Sequence, residues 1–429
     1  MDKNNLKTQA LIERGTYAHK AGQFDEAEKL YKRALKFDSN NADCLHLLGL
    51  ISHQTGRHKH AVQLIKRALL IKPNEPNYNV NLAIILNTLS LWSEAEKICV
   101  ATIQITPKNS EIYNNLGRAL AAQNKFSDAE AAYAKSIECA PNNVSAQSNL
   151  GYLYMMQGRN KLAETTFLKA IKIDGTFLLA YSNLATTYLT MGSLDCAETI
   201  CRTALLKDPE FVPAIHSLGV ILTRMKKFDA AEKAFKRVMG LSPLHVQSVI
   251  NLASLYSSQG KFGLAKTLFE QAIQLQPKSS DAYLNLGVCC SELGQLDEAL
   301  VYLKTALEYD PDNIEAYYVL STSGKVTLDS GVIKRLELML TSAIGMTADH
   351  KIKIHFVLAM QLERLGDLDR SFDYYQSGNQ YRGQLFQNSG LNFDHDQHYK
   401  ELQRYENTFT KNFFEKWSKL DVSTSSAPS

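Results

Sequence analysis

Six asparagines recur along the chain at separations of 34 residues or a multiple of 34. They are Asn81, Asn115, Asn149, Asn183, Asn251 and Asn285. A primary amide carries both donors and an acceptor, so it can pair with the N–H and C=O groups of one residue in an extended peptide, whatever that residue's side chain is. Asparagine is also a poor helix former. Its repetition within helical segments therefore favours recognition of a peptide backbone over a contribution to local stability.

The asparagines belong to a longer unit that repeats with the same period. Alanine occurs at nine positions, each 34 residues after the one before, namely Ala27, Ala61, Ala95, Ala129, Ala163, Ala197, Ala231, Ala265 and Ala299. Proline follows seven of these alanines after twelve residues, and glycine or alanine precedes all nine by twelve residues. Proline ends a helix, and a small residue lets two helices cross closely. The pattern predicts two packed helices in each unit.

This unit resembles the tetratricopeptide repeat (TPR), a helix-turn-helix motif of the same length. The fourth unit carries most of the motif, in Leu116, Gly117, Phe126, Ala129, Tyr133 and Pro141. We predict a tail at 1–7 and nine repeats over 8–313, with bounds 8–41, 42–75, 76–109, 110–143, 144–177, 178–211, 212–245, 246–279 and 280–313. Ser90, Asn124 and Lys226 replace the glycine of the turn. The resemblance implies an all-α fold, a right-handed α-solenoid whose first helices line the inner surface.

The position of the asparagines within the repeat suggests where their amides point. When each repeat is numbered from its first residue, positions 4, 7, 8 and 11 form the packing arc, and position 6 projects about 150° away from its centre. We therefore expect all six amides to face a groove, together with Tyr152, Met155 and Arg224. The alternative is that the amides pair only with neighbouring helices or with water. A similar inner asparagine ladder occurs in the repeat superhelix of O-linked N-acetylglucosamine transferases.

Composition excludes several other partners at this stage. The formal net charge is only +3 and the basic residues are scattered, so we expect no nucleic acid. Chaperone-tail adaptors of this repeat family hold a C-terminal carboxylate with lysine and arginine side chains of the inner helices. No lysine or arginine occupies position 5 of the second to ninth repeats. No apolar stretch of membrane-spanning length and no signal-peptide pattern is seen, so we expect a cytoplasmic protein without membrane contact. Seven cysteines form no C-x-x-C pair, and we interpret them as buried, reduced thiols.

The C-terminal part departs from the strict period. Residues 314–385 are predicted to form degenerate capping hairpins, and residues 386–429 a helical connector with a flexible tail. The segment from His355 to Trp417 resembles the connector of bacterial proteins that join TPRs to a sulfotransferase domain. The resemblance is carried by His355, Phe356, Leu365, Gly366, Asp367, Phe372, Gly378, Asn379 and Arg382. It implies a sulfotransferase-like domain downstream of this chain.

Three short motifs could suggest other chemistry. Gly324-Lys325 lacks the first glycine and the hydroxyl residue of a phosphate-binding loop. Asp394, His395, Asp396 and His398 could ligate a metal, but aspartate before a helical run is more often an N-cap. His53, His58 and His60 are interpreted as surface residues. We therefore expect no catalytic residue, no metal and no cofactor within these 429 residues.

The sequence thus predicts a superhelix that binds a protein or an extended peptide. Its favoured role is that of the substrate-recognition module of a larger protein-modifying enzyme, with a sulfotransferase-like domain expected downstream. Two alternatives stay open: a stand-alone scaffold for protein assembly, and the TPR module of a glycosyltransferase. The ligand and the oligomeric state do not follow from the sequence.

Overall fold

The computed structural model describes residues 3–324, 326–341 and 346–388. Every regular element within these ranges is an α-helix, as the repeat pattern predicts. The helices are α1 (Lys3–Lys20), α2 (Phe24–Phe37), α3 (Ala42–Gln54), α4 (His58–Ile71), α5 (Pro76–Thr88), α6 (Trp92–Ile105), α7 (Ser110–Ala122), α8 (Phe126–Cys139), α9 (Val144–Met156), α10 (Asn160–Ile173), α11 (Leu178–Thr190), α12 (Leu194–Lys207), α13 (Val212–Arg224), α14 (Phe228–Leu241), α15 (Val246–Ser258), α16 (Phe262–Leu275), α17 (Ser280–Glu292), α18 (Leu296–Tyr309), α19 (Ile314–Thr322), α20 (Ser330–Thr341), α21 (Ala348–Arg364) and α22 (Leu368–Asn388). Within the described residues, no helix is both long and apolar enough to cross a membrane.

Helix starts follow the repeat register. The first helices of the second to ninth predicted repeats begin at the first residue of the repeat, from Ala42 to Ser280. Several are preceded by an asparagine cap: Asn41, Asn109 and Asn143 each accept a hydrogen bond, through Oδ1, from the backbone N–H three residues later, at 3.0–3.1 Å. This bond satisfies one of the N–H groups that a helix start leaves unpaired.

The turn between the two helices of a repeat requires a left-handed residue. Six of these turns use glycine, with φ between 70° and 78°: Gly22, Gly56, Gly158, Gly192, Gly260 and Gly294. Ser90, Asn124 and Lys226 occupy the same place with φ of 59–60°. An L-residue other than glycine is strained in this conformation, because its Cβ approaches the backbone. These three turns are therefore less favourable than the other six.

We expect Lys226→Gly to stabilise the protein by about 0.5–1 kcal/mol, because relief of the left-handed strain outweighs the extra flexibility of glycine in the unfolded chain. Thermal melting of the variant and the wild type measures the effect. Lys226→Ala is the control. It removes the rest of the side chain but keeps Cβ, so the left-handed strain of the backbone remains and no stabilisation is expected. A Lys226→Gly variant that melts below the wild type would show that the turn is not strained.

Close crossing of the two helices depends on a small residue at position 8 of the repeat. A Cβ added at Gly117, Gly151 or Gly219 would lie 2.6–2.8 Å from a ring carbon of the aromatic residue at position 24, which is closer than real Cβ contacts. These three crossings therefore leave no room for a side chain at position 8, because interiors are close-packed.

Three other repeats carry alanine at position 8. In the third and sixth repeats the residue at position 24 is then a cysteine, Cys99 or Cys201, and both are fully buried. Residue sizes at the two positions compensate for each other in these two repeats. The eighth repeat has Ala253 at position 8 and Phe269 at position 24.

The cysteines are free, but not all of them are buried. Five are inside the core, whereas Cys139 is half-buried and Cys196 is exposed. The prediction of buried thiols is therefore wrong for Cys196. Its side chain lies on the solvent side of α12, in the first turn of the helix, next to the fully buried Ala197.

Two compact units divide the chain, residues 1–255 and residues 256–429. In the second unit, α21 packs against both α19 and α22. The turn from α21 to α22 contains Gly366 with φ of 81°, like the turns of the regular repeats. The buried amide of Gln361 accepts a hydrogen bond from the Leu328 N–H at 2.8 Å and donates one to Ser321 Oγ at 3.0 Å. The connector helices and tail predicted after Asn388 lie outside the described residues.

Candidate functional site

The asparagine side chains of position 6 lie in two different environments. Asn81, Asn149, Asn183, Asn251 and Asn285 are half-buried, so part of each residue reaches the surface. Asn115 is only 3% exposed. The prediction that all six amides face a groove is therefore wrong for Asn115.

Three of the amides form the same bond to the preceding repeat. Nδ2 of Asn81 lies 2.9 Å from Nε2 of His46, and Nδ2 of Asn251 lies 2.9 Å from Nε2 of His216. Nδ2 of Asn149 donates to Oδ1 of Asn114, also at 2.9 Å. Each partner occupies position 5 of the repeat before. These three amides thus link neighbouring first helices.

These bonds leave part of each amide available. A primary amide has two N–H donors and one carbonyl acceptor, and the bond to position 5 uses one donor. Oδ1 of Asn251 also accepts from Gln247 at 3.3 Å. Asn183 is half-buried, and its side chain makes no hydrogen bond to any described residue. The amide of Asn183 is therefore the most available of the series.

Asn115 differs from these three amides because its neighbour at position 5 is apolar. The equivalent residue of the preceding repeat is Val80, which offers no acceptor. The amide therefore turns back and donates to the Glu111 carbonyl of its own helix at 3.0 Å. Asn285 likewise bonds within its own helix, where Nδ2 donates to the Asp281 carbonyl at 2.8 Å. On the same side of α7, Nδ2 of Asn87 in α5 donates to the backbone carbonyl of Asn115 at 3.0 Å. The prediction that position 6 points outward took account only of packing within a repeat. A first helix also packs against the first helices of adjacent repeats.

The histidines at position 5 are held neutral. Burial lowers the pKa of His46 to about 4, with Asp43 opposing the shift, and burial with the nearby His245 lowers the pKa of His216 to about 4. Since an amide N–H can only donate, Nε2 of each ring accepts, and the ring proton is on Nδ1. The His46 ring also stacks on Tyr78, with centroids 4.3 Å apart.

Apolar side chains lie beside the amides on α9 and α11. Tyr152 is 47% exposed and Met156 is 61% exposed, although both are large apolar groups. Leu179, at the start of α11, is also exposed. Met155 is half-buried and packs against the core beneath α9 and α10. Arg224 lies on the surface at the end of α13.

Asn149 and Tyr152 line a cavity of about 430 Å³. Its walls come from α7, α8 and α9, the turn between α7 and α8, and the start of α6. The lining residues are Trp92, Arg118, Ala121, Ala122, Asn124, Phe126, Tyr133, Asn149, Tyr152, Leu153 and Met156. Trp92, Arg118 and Tyr133 are not among the site residues predicted from the sequence. Arg118 occupies position 9 of its repeat, as Tyr152 does, so the register could have indicated it.

We call the surface that carries Asn81, Asn149, Asn183, Tyr152 and Met156 the amide face. Its helices lie side by side, because α7 contacts both α5 and α9, and α9 contacts α11. The face combines hydrogen-bonding amides with exposed apolar groups at the mouth of a cavity. It can therefore bind a ligand that has both a backbone and apolar side chains.

Four separate sections of the chain match models of one family. A model described as Tetratricopeptide repeat matches residues 18–81 and 256–322, and further models with the same description match residues 114–176 and 212–243. Together the matches cover more than half of the chain. This chain belongs to the tetratricopeptide repeat family. No curated protein matches the sequence of this TPR protein.

Solved structures with the same fold are distant in sequence. A monomeric mutant of IFIT1 with Gppp-AAAA has a TM-score of 0.53 and 14% identity, and the match covers 87% of this chain and 90% of that chain. Cut9 in the APC/C hetero-tetramer Cut9-Hcn1 has a TM-score of 0.50 and 15% identity, over 72% and 74% of the two chains. YrrB, described as a TPR protein with an unusual peptide-binding site, has a TM-score of 0.34 and 20% identity, over 44% and 96%. These likenesses concern the TPR fold alone.

The connector-like residues come together in the hairpin of α21 and α22. A Cβ at Gly378 would lie 3.3 Å from Cβ of His355 and 3.4 Å from the Phe356 ring, so a small residue suits this crossing. The guanidinium carbon of Arg382 lies 4.6 Å from the centroid of the Phe356 ring. The rings of His355 and Tyr381 stack with centroids 5.3 Å apart. In the described residues this motif therefore packs a TPR-like hairpin.

The candidate metal ligands do not assemble a site in the described part of the chain. No group of three or more histidine, cysteine, aspartate or glutamate side chains is arranged there to hold a metal ion. His53 and His58 approach each other at 2.9 Å between their Nδ1 atoms, and His60 Nδ1 lies 3.1 Å from Ser52 Oγ. Residues 394–398 lie outside the described residues. Gly324, from the loop-like Gly-Lys pair, follows the end of α19 with φ of 75°.

Proposed function

We propose that the amide face binds an extended peptide segment of a partner protein. Asn183 carries the proposal, because the residue is only half-buried and its amide makes no hydrogen bond to the described residues. Such an amide can pair with both backbone groups of one peptide residue. Asn81 and Asn149 each contribute the second N–H and the carbonyl oxygen of the amide, because the bond to position 5 uses only one N–H. Tyr152 and Met156 supply apolar surface for the peptide side chains.

We further propose that this TPR array recognises substrates for a protein-modifying enzyme of the cytoplasm, with a sulfotransferase-like domain joined through the α21–α22 hairpin. The connector resemblance of His355, Phe356, Gly378 and Arg382 supports this choice. A stand-alone assembly scaffold is the second candidate, and a glycosyltransferase module the third. The mass of the endogenous polypeptide separates the first candidate from the scaffold, because the first requires a substantially longer chain.

We expect Asn183→Ala to weaken peptide binding about tenfold, because it removes up to two hydrogen bonds worth about 0.5–1.5 kcal/mol each. A peptide selected from a random display library against the wild-type protein serves as the ligand, and isothermal titration calorimetry gives the affinities. The melting temperature should not fall, because the amide has no partner in the described structure and alanine is the better helix former.

The matched control is Asn115→Ala, which removes an amide from the same repeat position of another repeat. Because Asn115 is buried and donates to Glu111, we expect this variant to bind the peptide with wild-type affinity. If Asn183→Ala also binds normally, the amide face is not the peptide site. If Asn115→Ala weakens binding as strongly as Asn183→Ala, the effect is indirect and the proposed site is wrong.

A further inference from the structure

The cavity between α7 and α9 is lined by both apolar and polar side chains. Trp92, Tyr152 and Met156 form apolar walls, while Arg118 and Tyr133 supply donors. Its volume of about 430 Å³ is that of a small ligand pocket. A carboxylate alone would leave most of this space empty. The shape therefore suits an apolar group together with a polar one.

Tyr133 is buried, but its hydroxyl is unpaired. The side chain is 3% exposed, and its ring lies directly over Gly117. The equivalent tyrosine of the first repeat, Tyr31, has its hydroxyl 3.3 Å from Thr16 Oγ1. At the position of Thr16 the fourth repeat has Arg118, and the Tyr133 hydroxyl makes no hydrogen bond within the described chain. The Tyr133 residue lines the cavity, and its hydroxyl is a donor that a ligand there could use.

Arg118 lacks the carboxylate partner that other basic residues have. Arg57 pairs with Glu28 at 3.0 Å, and Lys125 pairs with Glu96 at 2.8 Å, each across the boundary between two repeats. Arg118 is half-buried and forms neither an ion pair nor a hydrogen bond with any described residue. Arg118 and Tyr133 line the same cavity, and the charge of Arg118 partly opposes the rise that burial causes in the pKa of Tyr133. Both donors thus line one cavity and have no hydrogen-bond partner among the described residues.

We propose that the Arg118–Tyr133 cavity binds the carboxylate of a glutamate or aspartate side chain within the bound peptide, with a neighbouring aromatic side chain against Trp92, Tyr152 and Met156. A guanidinium and a phenol both donate to a carboxylate, and charge-assisted bonds of this kind are the strong ones. This inference rests on the proposed peptide-binding function and names the chemistry of the peptide.

The carboxylate belongs to an internal side chain because of where the amides lie. Asn81 is on α5 and Asn183 is on α11, on either side of the helices that form the cavity. A peptide held by both amides therefore continues past the cavity in both directions. Its terminal carboxylate would lie elsewhere.

Fluorescence of Trp92 offers a direct test, because the chain contains only one other tryptophan, Trp417. In the Trp417→Phe protein, all tryptophan emission comes from the cavity wall. The probe is a pool of short peptides with acetylated and amidated ends, a central Phe-Glu pair and random flanks. The comparison pools carry Phe-Gln instead, or end in phenylalanine with a free carboxylate. We expect the Phe-Glu pool to change Trp92 emission and to bind at least about tenfold more tightly than the Phe-Gln pool.

Substitutions in the cavity assign the effect to its residues. Arg118→Gln should abolish the preference for Phe-Glu over Phe-Gln. Tyr133→Phe keeps the ring over Gly117 and should reduce the preference several-fold without unfolding. Arg67→Gln removes an exposed arginine of α4, outside the amide face, and should bind both pools as the parent protein does.

The following results would overturn the inference. Equal binding of the Phe-Glu and Phe-Gln pools, or an Arg118→Gln protein that keeps the preference, shows that no carboxylate enters the cavity. Tighter binding of the pool with a free terminal carboxylate shows that the acceptor is a chain end. If the pools bind without discrimination and Asn183→Ala still weakens them, peptide binding stands and only the cavity assignment fails. If no pool binds at all, the proposed function fails with it.

Discussion

The Gly219→Ala protein is expected to be less stable than the wild type by about 1–2 kcal/mol, even though alanine is the better helix former. The new Cβ would lie 2.6 Å from Cε1 of Phe235 and 3.0 Å from its Cζ. Phe235 is buried in the same repeat and cannot move without displacing its neighbours. Overpacking of the core therefore exceeds the gain in helix propensity.

Gly219→Ala should instead increase stability in a protein in which Phe235 is replaced by cysteine. The sixth repeat already combines Ala185 with Cys201 at these two positions. Phe235→Cys alone leaves a cavity and should cost about 3 kcal/mol or more. In that background the methyl group added by Gly219→Ala fills part of the space, so the substitution should stabilise by about 0.5–1 kcal/mol. Urea unfolding of the four proteins gives the coupling free energy.

Gly240→Ala is the matched control for this experiment. Gly240 lies in α14 of the same repeat, and a Cβ there meets no atom within 4 Å. The variant should be slightly more stable than the wild type, because alanine loses less entropy in a helix. If Gly219→Ala and Gly240→Ala shift stability equally in either background, the contact with Phe235 does not limit the residue at position 8.

Acidification from pH 7 to pH 5 should lower the free energy of unfolding by about 1–2 kcal/mol for each of His46 and His216. Both histidines have a pKa of about 4 in the folded protein and an ordinary value near 6.5 when unfolded. The unfolded chain therefore binds more protons between these values, and stability falls as the pH falls. Glu28, whose pKa is lowered to about 2 chiefly by its hydrogen bond to Arg57, loses its contribution only below its ordinary value of 4.5.

The double variant with His46→Asn and His216→Asn provides the control. It copies the Asn114–Asn149 pair, in which an asparagine at position 5 accepts the same hydrogen bond without titrating. Chemical unfolding at a series of pH values should show a shallower slope between pH 7 and pH 5 than in the wild type. An unchanged slope would mean that these histidines are not the groups that take up protons on unfolding.

The helices followed from the sequence because their determinants are local and repeat at a fixed period. Ala129, Gly117 and Pro141 recur at constant offsets, and each has a physical reason in a close crossing or a helix end. The replaced turn glycines were visible at Ser90, Asn124 and Lys226, and all three have positive φ. The register of the second to ninth repeats coincides with the observed helix starts for the same reason.

The environments of Asn115 and Asn149 depend on a neighbour that lies in the preceding repeat. The side chain of Asn115 turns back to its own helix because Val80, 35 residues earlier, offers it no partner. Asn149 finds Asn114 at the same separation. The cavity was overlooked for a similar reason, since Trp92, Arg118 and Asn149 come from three consecutive repeats. Predicting such a site requires comparing the residues of adjacent repeats as well as the residues within one repeat.

Some residue pairs that contact each other lie within one repeat, whereas others lie in two consecutive repeats. Gly219 and Phe235 lie within one repeat, so duplication or loss of a whole repeat by unequal recombination would carry both residues together. His46 and Asn81 lie in consecutive repeats, so the same event would give the amide a new neighbour. Changes in array length would thus preserve the core of every unit while creating new combinations on the amide face. A change in repeat number would therefore alter the amide face without a substitution in any core.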